Sequence, residues 1–113
     1  MSAQGNQFMW IFVMFDLPTT TKKQRRHATR FRKFLLKDGY MMLQYSIYGR
    51  ICNGTERVQK HIKRLEMILP PKGSIRALQI TDRQYKNMNI LLSNAERFDD
   101  DDPKYNSEQL LLL

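Results

Sequence analysis

The apolar positions of the chain fall into short runs and into stripes of helical spacing, which predict strands and helices in turn. Residues 8–15, FMWIFVMF, contain no polar side chain, and such a run indicates a strand covered on both faces at the centre of a sheet. Pro18 stops this strand, and Thr21 with Gln24 three residues later forms a capping box for a helix. The pattern therefore predicts a central strand followed by a helix over residues 20–37.

This first predicted helix has one apolar face, and the rest of its surface is basic. The apolar stripe consists of Ala28, Phe31, Phe34 and Leu35. The basic positions are Lys22, Lys23, Arg25, Arg26, Arg30, Arg32, Lys33 and Lys37. Gly39 suits the left-handed backbone conformation that ends many helices. We therefore expect the stripe to pack on a sheet while the other faces present positive charge to solvent.

Residues 40–52, YMMLQYSIYGRIC, are rich in aromatic and aliphatic side chains but are long for one strand. They predict two short strands with a bend near residues 44–46. A single bulged strand is the alternative.

A second helix follows the turn at Asn53 and Gly54, with Thr55 as its expected cap. Its apolar positions are spaced by four, three and four residues: Val58, Ile62, Leu65 and Leu69. Pro70 ends this helix. His61 in this helix and His27 in the first lie beside basic residues, and we expect both to be solvated.

The remaining segments predict a strand over residues 74–81, a turn at 82–87, and a short strand at 88–92, MNILL. The last of these is expected either at the edge of the sheet or added to the sheet of another molecule. The order of elements is βαββαβ, an α+β arrangement of the ferredoxin-like type with an extra C-terminal strand. We divide the chain into a disordered N-terminus at 1–7, a ferredoxin-like domain at 8–92 and an acidic tail at 93–113.

Charge is distributed unevenly along the chain. The net charge is +8, but six of the 11 acidic residues and only two of the 19 basic residues lie after residue 92, so the preceding part carries about +12. Such a surplus is typical of proteins that bind a polyanion, most often a nucleic acid. No apolar run is long enough to span a membrane, and we expect a cytoplasmic protein. Cys52 is the single cysteine, expected to be a buried apolar residue on a strand.

The sequence lacks the motifs of several common functions. The aromatic pattern of an RNA-recognition motif is missing, because the strand that should carry it offers only Tyr48, Gly49 and Arg50. Neither a glycine-rich phosphate loop nor an ordered Ser/His/Asp arrangement is visible. The remaining candidate for chemistry is a single carboxylate, Asp16, at the end of the first strand.

Asp16 has two interpretations. It could cap backbone amides in the turn that follows the strand. Alternatively, it could bind Mg²⁺, which needs only one or two carboxylates and completes its shell with water and substrate phosphate. A homodimer would bring a second copy of Asp16 to the ion, and nearby basic side chains would attract the phosphates.

Several motifs in order resemble the CRISPR-associated protein two family, the small universal subunit of spacer acquisition, and most closely its type II members. They are FDLP at 15–18, RFRKFLLKDGY at 30–40, QYSIYGR at 44–50 and ITDRQYKNM at 80–88. The resemblance covers roughly residues 8–92. It implies a ferredoxin-like protomer and a symmetric homodimer in which residues 88–92 of one subunit extend the sheet of the other.

The resemblance also implies a function. The homodimer would be clasped by two dimers of the CRISPR integrase and would bind the duplex protospacer DNA. Family members have been described as metal-dependent endonucleases, with the first-strand aspartate holding Mg²⁺ between subunits, and that role falls on Asp16. We rank a scaffold in spacer acquisition above a nuclease. The alternative is a metal-dependent endoribonuclease, including a toxin-like ribonuclease of the same fold.

Two further expectations concern charged segments. We expect the duplex to bind, without readout of its sequence, to basic residues of the first helix: Lys22, Lys23, Arg25, Arg26, Arg30 and Lys33. The tail contains four consecutive aspartates and ends in four leucines. The acidic part either docks on a basic patch of the integrase or shields the basic face of the protein itself until DNA arrives. The four leucines could add as a strand, anchor in a groove or be inert.

Overall fold

The structure, a computed structural model, describes residues 7–93 of the chain. In chain order its elements are β1 Phe8–Asp16, α1 Lys22–Lys37, β2 Met41–Gln44, β3 Ile47–Asn53, α2 Thr55–Glu66, β4 Ser74–Thr81 and α3 Asp82–Lys86. The expectations for residues 1–6 and for the acidic tail from residue 94 onward lie outside the described residues. Within residues 7–93, no helix has the length and apolar character needed to cross a membrane.

The four strands form one antiparallel sheet in the order β2-β3-β1-β4. With the two longer helices packed on one face, this is the ferredoxin-like α+β arrangement that the sequence predicts. β1 lies inside the sheet, since it pairs with β3 on one side and with β4 on the other. The two-strand interpretation of residues 40–52 is confirmed, with a turn at residues 45–46 and a register shift between Met42 and Gln44.

The main core lies between β1 and the helices. Alternate side chains of β1 point to the helical face, where they are buried: Met9, Ile11, Val13 and Phe15. Phe31 and Leu35 of α1 and Val58 and Leu65 of α2 complete the cluster. Cys52 is buried in the same core, as expected, and burial raises the pKa of its thiol. The apolar stripes of both helices therefore pack as the spacing predicts.

The other face of β1 is covered less completely. Trp10 is buried there by a stack with Tyr85 of α3, with ring centroids 3.9 Å apart and planes at 12°. The Trp10 indole N–H also donates a hydrogen bond of 2.9 Å to Asp82, and this bond, together with Lys86, lowers the pKa of the carboxyl. Phe12 and Met14 remain half-buried. The prediction that both faces of β1 are covered is thus confirmed for the helical face and for Trp10. On the second face, Phe12 and Met14 are covered only in part.

Helix α1 begins as predicted. Thr21 is its N-cap, and the Thr21 hydroxyl and Gln24 amide form both hydrogen bonds of the capping box. Gly39 follows the helix with φ of 93°, the left-handed conformation that the sequence predicts there.

The ends of α2 differ from the expectation. Gly54 occupies the N-cap position without a side-chain hydrogen bond, and Thr55 is already helical. The helix ends at Glu66, so Leu69 lies outside it and is exposed. Pro70 explains this end, because a proline ring in a helix clashes with the carbonyl four residues earlier, here that of Glu66.

The C-terminal part of the described chain contains the other differences. Residues 82–86 form the short helix α3 instead of a turn, with Thr81 and Gln84 making a second capping box. Within residues 7–93, no strand pairs with residues 88–92, and they do not form a strand. Ile90 is 73% exposed and Leu91 is 93% exposed. In the described part of the chain the edge-strand alternative is therefore wrong, and addition to a second molecule stays a prediction.

A buried polar cluster joins the end of α1 to α2. The Nδ1–H of His61 donates to one carboxylate oxygen of Asp38 at 2.9 Å, and Arg64 pairs with the other oxygen at 3.0 Å. The guanidinium of Arg50 in β3 donates to the backbone carbonyl of Asp38. His61 is therefore buried, and the prediction that it is solvated is wrong. The reason is that Asp38, which is 23 residues away in sequence, supplies a buried acceptor.

Replacing Asp38 with alanine tests how much this cluster contributes to the free energy of unfolding. Asp38→Ala leaves the His61 ring N–H buried without its acceptor and removes the partner of Arg64. We expect the free energy of unfolding to fall by about 3 kcal/mol, the usual cost of breaking a buried pair. Urea denaturation followed by circular dichroism measures this. Glu66→Ala, which removes an exposed acid at the end of α2, is the control and should change stability by less than about 0.5 kcal/mol. Equal losses in both variants would contradict the assignment.

Candidate functional site

Asp16 lies at the C-terminal end of β1, opposite Ser74 at the start of β4. Its side chain is exposed. Within residues 7–93, no hydrogen bond or ion pair engages its carboxylate, so the interpretation as a cap of nearby backbone amides has no support there. The carboxylate is consequently available to an external cation.

Gly73 shapes the chain around Asp16. Its backbone has φ of 118°, which L-amino acids other than glycine rarely adopt. A Cβ atom at this position would lie 2.7 Å from the Leu17 side chain and 2.8 Å from the Asp16 carbonyl oxygen. The turn before β4 therefore packs against the turn after β1 so closely that only glycine fits, and this packing fixes the backbone that carries Asp16.

The metal-binding capacity of one protomer is small. Within residues 7–93, no group of three or more His, Cys, Asp or Glu residues is arranged to hold an ion. Asp38 is bound to His61 and Arg64, and Asp82 is bound to Trp10 and Lys86. Asp16 fits Mg²⁺ only as one carboxylate among water and phosphate ligands, or together with the same residue of a second copy.

The basic residues predicted to bind the duplex are divided between two faces of α1. Five of them, all exposed, line a shallow depression of about 380 Å³ along one side of the helix: Lys22, Arg25, Arg26, Arg30 and Lys33. We call these five residues the basic face. In the described part of the chain, none has a carboxylate within ion-pair distance. No acidic side chain of residues 7–93 therefore neutralises these charges by an ion pair.

Lys23 lies away from the basic face. It lines a separate groove of about 320 Å³ between the start of α1 and the turn at Pro70 and Pro71. His27 lines the same groove and is half-buried. Arg25, although part of the basic face, also donates from one guanidinium nitrogen to the carbonyl oxygens of Thr19 and Thr20, each at 3.1 Å. Arg25 thus supports the β1–α1 loop as well.

One arrangement at the Asp16 end of the sheet is not predicted from the sequence. The guanidinium carbon of Arg32 lies 4.2 Å from the ring centroid of Tyr45 and 5.3 Å from that of Phe15. Arg32 comes from α1 and Tyr45 from the turn between β2 and β3. The sequence signal that could have found the pair is Tyr45 itself, an aromatic residue at the bend.

Comparisons with known proteins agree on one family. The family model described as CRISPR associated protein Cas2 matches residues 9–88. A "CRISPR-associated endoribonuclease Cas2" from Acidovorax ebreus (strain TPSY) is 51% identical over 84 residues, which are 74% of this chain and 82% of that protein. The protein of the same description from Parvibaculum lavamentivorans is 43% identical over 89 residues, covering 79% of this chain and 88% of the relative.

Two other comparisons define the extent of the similarity. The relative from Campylobacter jejuni, with the same description, is 46% identical over 87 residues, and the match spans 77% of this chain but 61% of that protein. A solved structure described as "Crystal structure of cas2" superposes with a TM-score of 0.55 at 17% identity, covering 81% of this chain and 93% of the other. At that identity the superposition supports the fold alone.

Replacing Gly73 with alanine tests how the backbone at Asp16 is fixed. Gly73→Ala adds both a positive-φ penalty and a clash with Leu17 and the Asp16 carbonyl. Gly54→Ala is the matched control, because Gly54 also has positive φ, 96°, but a Cβ there meets nothing within 4 Å. We expect a loss of about 1 kcal/mol for Gly54→Ala and about 3 kcal/mol for Gly73→Ala, measured by urea denaturation. Equal losses would show that the close contact contributes nothing.

Proposed function

The chain belongs to the CRISPR-associated protein Cas2 family, and from this premise we propose that it is a homodimeric scaffold of spacer acquisition. In this role it binds duplex protospacer DNA and bridges dimers of the CRISPR integrase. The observation that carries the proposal is the basic face, five exposed cations on one side of α1 without carboxylate partners in the described chain.

The dimensions of the basic face suit a duplex backbone. Lys22 and Lys33 are separated by three helical turns, about 16 Å at about 1.5 Å per residue. Duplex DNA carries about one charge per 1.7 Å of its axis, so every cation along this length can lie near a phosphate. Long flexible side chains on an exposed helix do not form the rigid donor pattern that reads base edges. The expected binding is therefore strong at low salt and independent of sequence.

The second face of the sheet supports a homodimer. An open cavity of about 490 Å³ lies on this face, lined by Phe12, Met14, Leu43, Ile47, Met88, Ile90 and Leu92 among others. In the described part of the chain, neither β2 nor β4 has a strand beyond it, so both edges of this sheet have free backbone groups. Residues 88–92 of a second copy could pair with such an edge and cover part of the apolar face. This would remove exposed apolar surface that a single chain leaves in water.

Metal-dependent cleavage of RNA is the second candidate, and two observations favour it. The similar proteins are described as endoribonucleases, and Asp16 is exposed with no partner in the described chain. Two copies of Asp16 across a dimer axis would hold Mg²⁺. When bound, the ion would supply charge neutralisation at the scissile phosphate and activate a water. The cations of the basic face would hold the flanking phosphates.

Charge reversal on the basic face tests DNA binding. We choose Arg26→Glu with Arg30→Glu, because Arg25 also supports the loop and its loss would disturb more than charge. With about five phosphate contacts per protomer, the logarithm of the affinity falls with the logarithm of salt with a slope of about −4.5. We expect the double variant to reduce the slope by about 2 and to weaken binding by more than about tenfold at low salt. Fluorescence anisotropy of a labelled blunt duplex measures both.

The control for this experiment changes the net charge by the same amount on another helix. Lys60 and Lys63 are exposed on α2 and form no ion pair within residues 7–93. Lys60→Glu with Lys63→Glu should leave the slope within about 0.5 of the wild type. If both double variants lose affinity equally, the duplex responds to total charge and the basic face is not the binding surface.

Replacing Asp16 distinguishes the scaffold function from the nuclease function. Spacer integration into a repeat-bearing plasmid by the cognate integrase is measured without this protein, with the wild type, and with Asp16→Ala. We expect integration to require the protein and to survive the substitution, whereas any Mg²⁺-dependent RNA cleavage falls by about 100-fold or more. If Asp16→Ala abolishes integration while the dimer and its DNA affinity persist, the nuclease function ranks above the scaffold function.

A further inference from the structure

Tyr45 and Arg32 lie at the end of the sheet that carries Asp16. The backbone N–H of Phe15 donates to the carbonyl oxygen of Ser46 at 3.0 Å. Since Phe15 directly precedes Asp16 and Tyr45 directly precedes Ser46, the turn between β2 and β3 and the end of β1 form one edge. The pair therefore lies at the same edge of the sheet as Asp16.

The geometry of the pair leaves most of the aromatic ring accessible. The guanidinium of Arg32 is within the range of a cation–π contact with Tyr45, at 4.2 Å from the ring centroid. Nevertheless the Tyr45 side chain belongs to a residue that is 70% exposed. Aromatic rings of this exposure on nucleic-acid-binding proteins stack on unpaired bases, with an arginine often contributing to the stack.

The arginine has unused hydrogen-bonding capacity. Its Nε atom is buried and has no hydrogen-bond partner among residues 7–93. No carboxylate within residues 7–93 forms an ion pair with Arg32. A guanidinium that is partly removed from water and lacks acceptors attracts an anion more strongly than a fully solvated one. A phosphate oxygen is the acceptor that a nucleotide stacked on Tyr45 would bring.

A purely structural role explains these observations less well. A contact whose only task is to tie the β2–β3 turn to α1 gains most when the ring is buried and the donors of the guanidinium are satisfied. Here the ring is largely exposed, and within residues 7–93 the outer nitrogens of the guanidinium, which could reach a phosphate, form no hydrogen bond or ion pair.

We propose that Tyr45 and Arg32 form a subsite for one unpaired nucleotide at the Asp16 end of the sheet. The base stacks on Tyr45, and the outer nitrogens of Arg32 donate to its phosphate. The proposal rests on the proposed function, because it assumes that nucleic acid lies along this protomer. It extends that function from sequence-independent duplex binding to recognition of a single-stranded end, and the chemistry applies to deoxyribose and ribose nucleotides alike.

The test compares a blunt duplex with the same duplex carrying a short single-stranded extension. Affinities are measured with the full chain as wild type, Tyr45→Ala, Tyr45→Phe and Arg32→Gln. We expect the wild type to bind the extended duplex about tenfold more tightly than the blunt one. Tyr45→Ala should abolish this preference without changing blunt-duplex affinity, Tyr45→Phe should keep it because the ring remains, and Arg32→Gln should reduce it.

A matched control comes from the opposite end of the same strand. Phe8 is also an exposed aromatic residue, but it is the first residue of β1 and lies at the end of the strand opposite to Asp16. Phe8→Ala should keep the full preference for the extension. Thermal unfolding of each variant confirms folding, and extensions made of deoxyribose or ribose nucleotides show which of the two the subsite takes. A 2-aminopurine placed in the extension should be quenched by the wild type and not by Tyr45→Ala.

The outcomes separate this proposal from the proposed function. If the wild type shows no preference, or if Tyr45→Ala retains it, the subsite is overturned while duplex binding through the basic face stands. If reversal of Arg26 and Arg30 leaves the affinity for the blunt duplex unchanged, the duplex scaffold fails on its own. In that case the subsite is still supported if the wild type quenches single-stranded 2-aminopurine and Tyr45→Ala does not. The subsite is rejected if the wild type does not quench the probe.

Discussion

Most of the structure depends on the pairing of β1 inside the sheet. This strand hydrogen-bonds to β3 and β4, and its alternate side chains must be buried on two opposite faces. α1 and α2 cover the first face with the main core. Within residues 7–93, the short helix α3 alone covers the second face, chiefly through the stack of Tyr85 on Trp10. The described chain therefore buries one face of β1 fully and the other face in part, and the proposed homodimer would cover the remainder.

The sequence predicts the elements well wherever the signal is local. The unbroken apolar run of β1, the capping box at Thr21 and the stripe of α1 lie within a few residues of the structure they specify. The short helix at 82–86 carries an equally local signal, because Thr81 and Gln84 repeat the spacing of Thr21 and Gln24. The sequence pattern predicts that α2 continues to Leu69, whereas the helix ends at Glu66, because the effect of Pro70 extends four residues back along the helix.

The candidate site is predictable only in part, since its contacts join distant segments. Asp16 and the basic face follow from strand-end and helix-surface positions. The pairing of Asp38 with His61 links residues 23 apart, and the contact of Arg32 with Tyr45 requires the β2–β3 turn to fold against α1. Neither periodicity nor charge reveals such contacts. They also decide which charges are paired within residues 7–93, because they engage Asp38 and leave the cations of the basic face without an acidic partner in that range.

The central position of β1 has a consequence for synthesis of the protein. Within residues 7–93, β1 is synthesised before both of its partner strands, and its Trp10 bonds to Asp82, 72 residues further on. At about 5–20 residues per second, that contact becomes available roughly 4–14 s after Trp10 is made. During this interval the backbone N–H and C=O groups of this apolar strand are not all paired with its partner strands. Because β4 is the later of its two partner strands, β1 completes its pairing only after nearly the whole described domain has been synthesised.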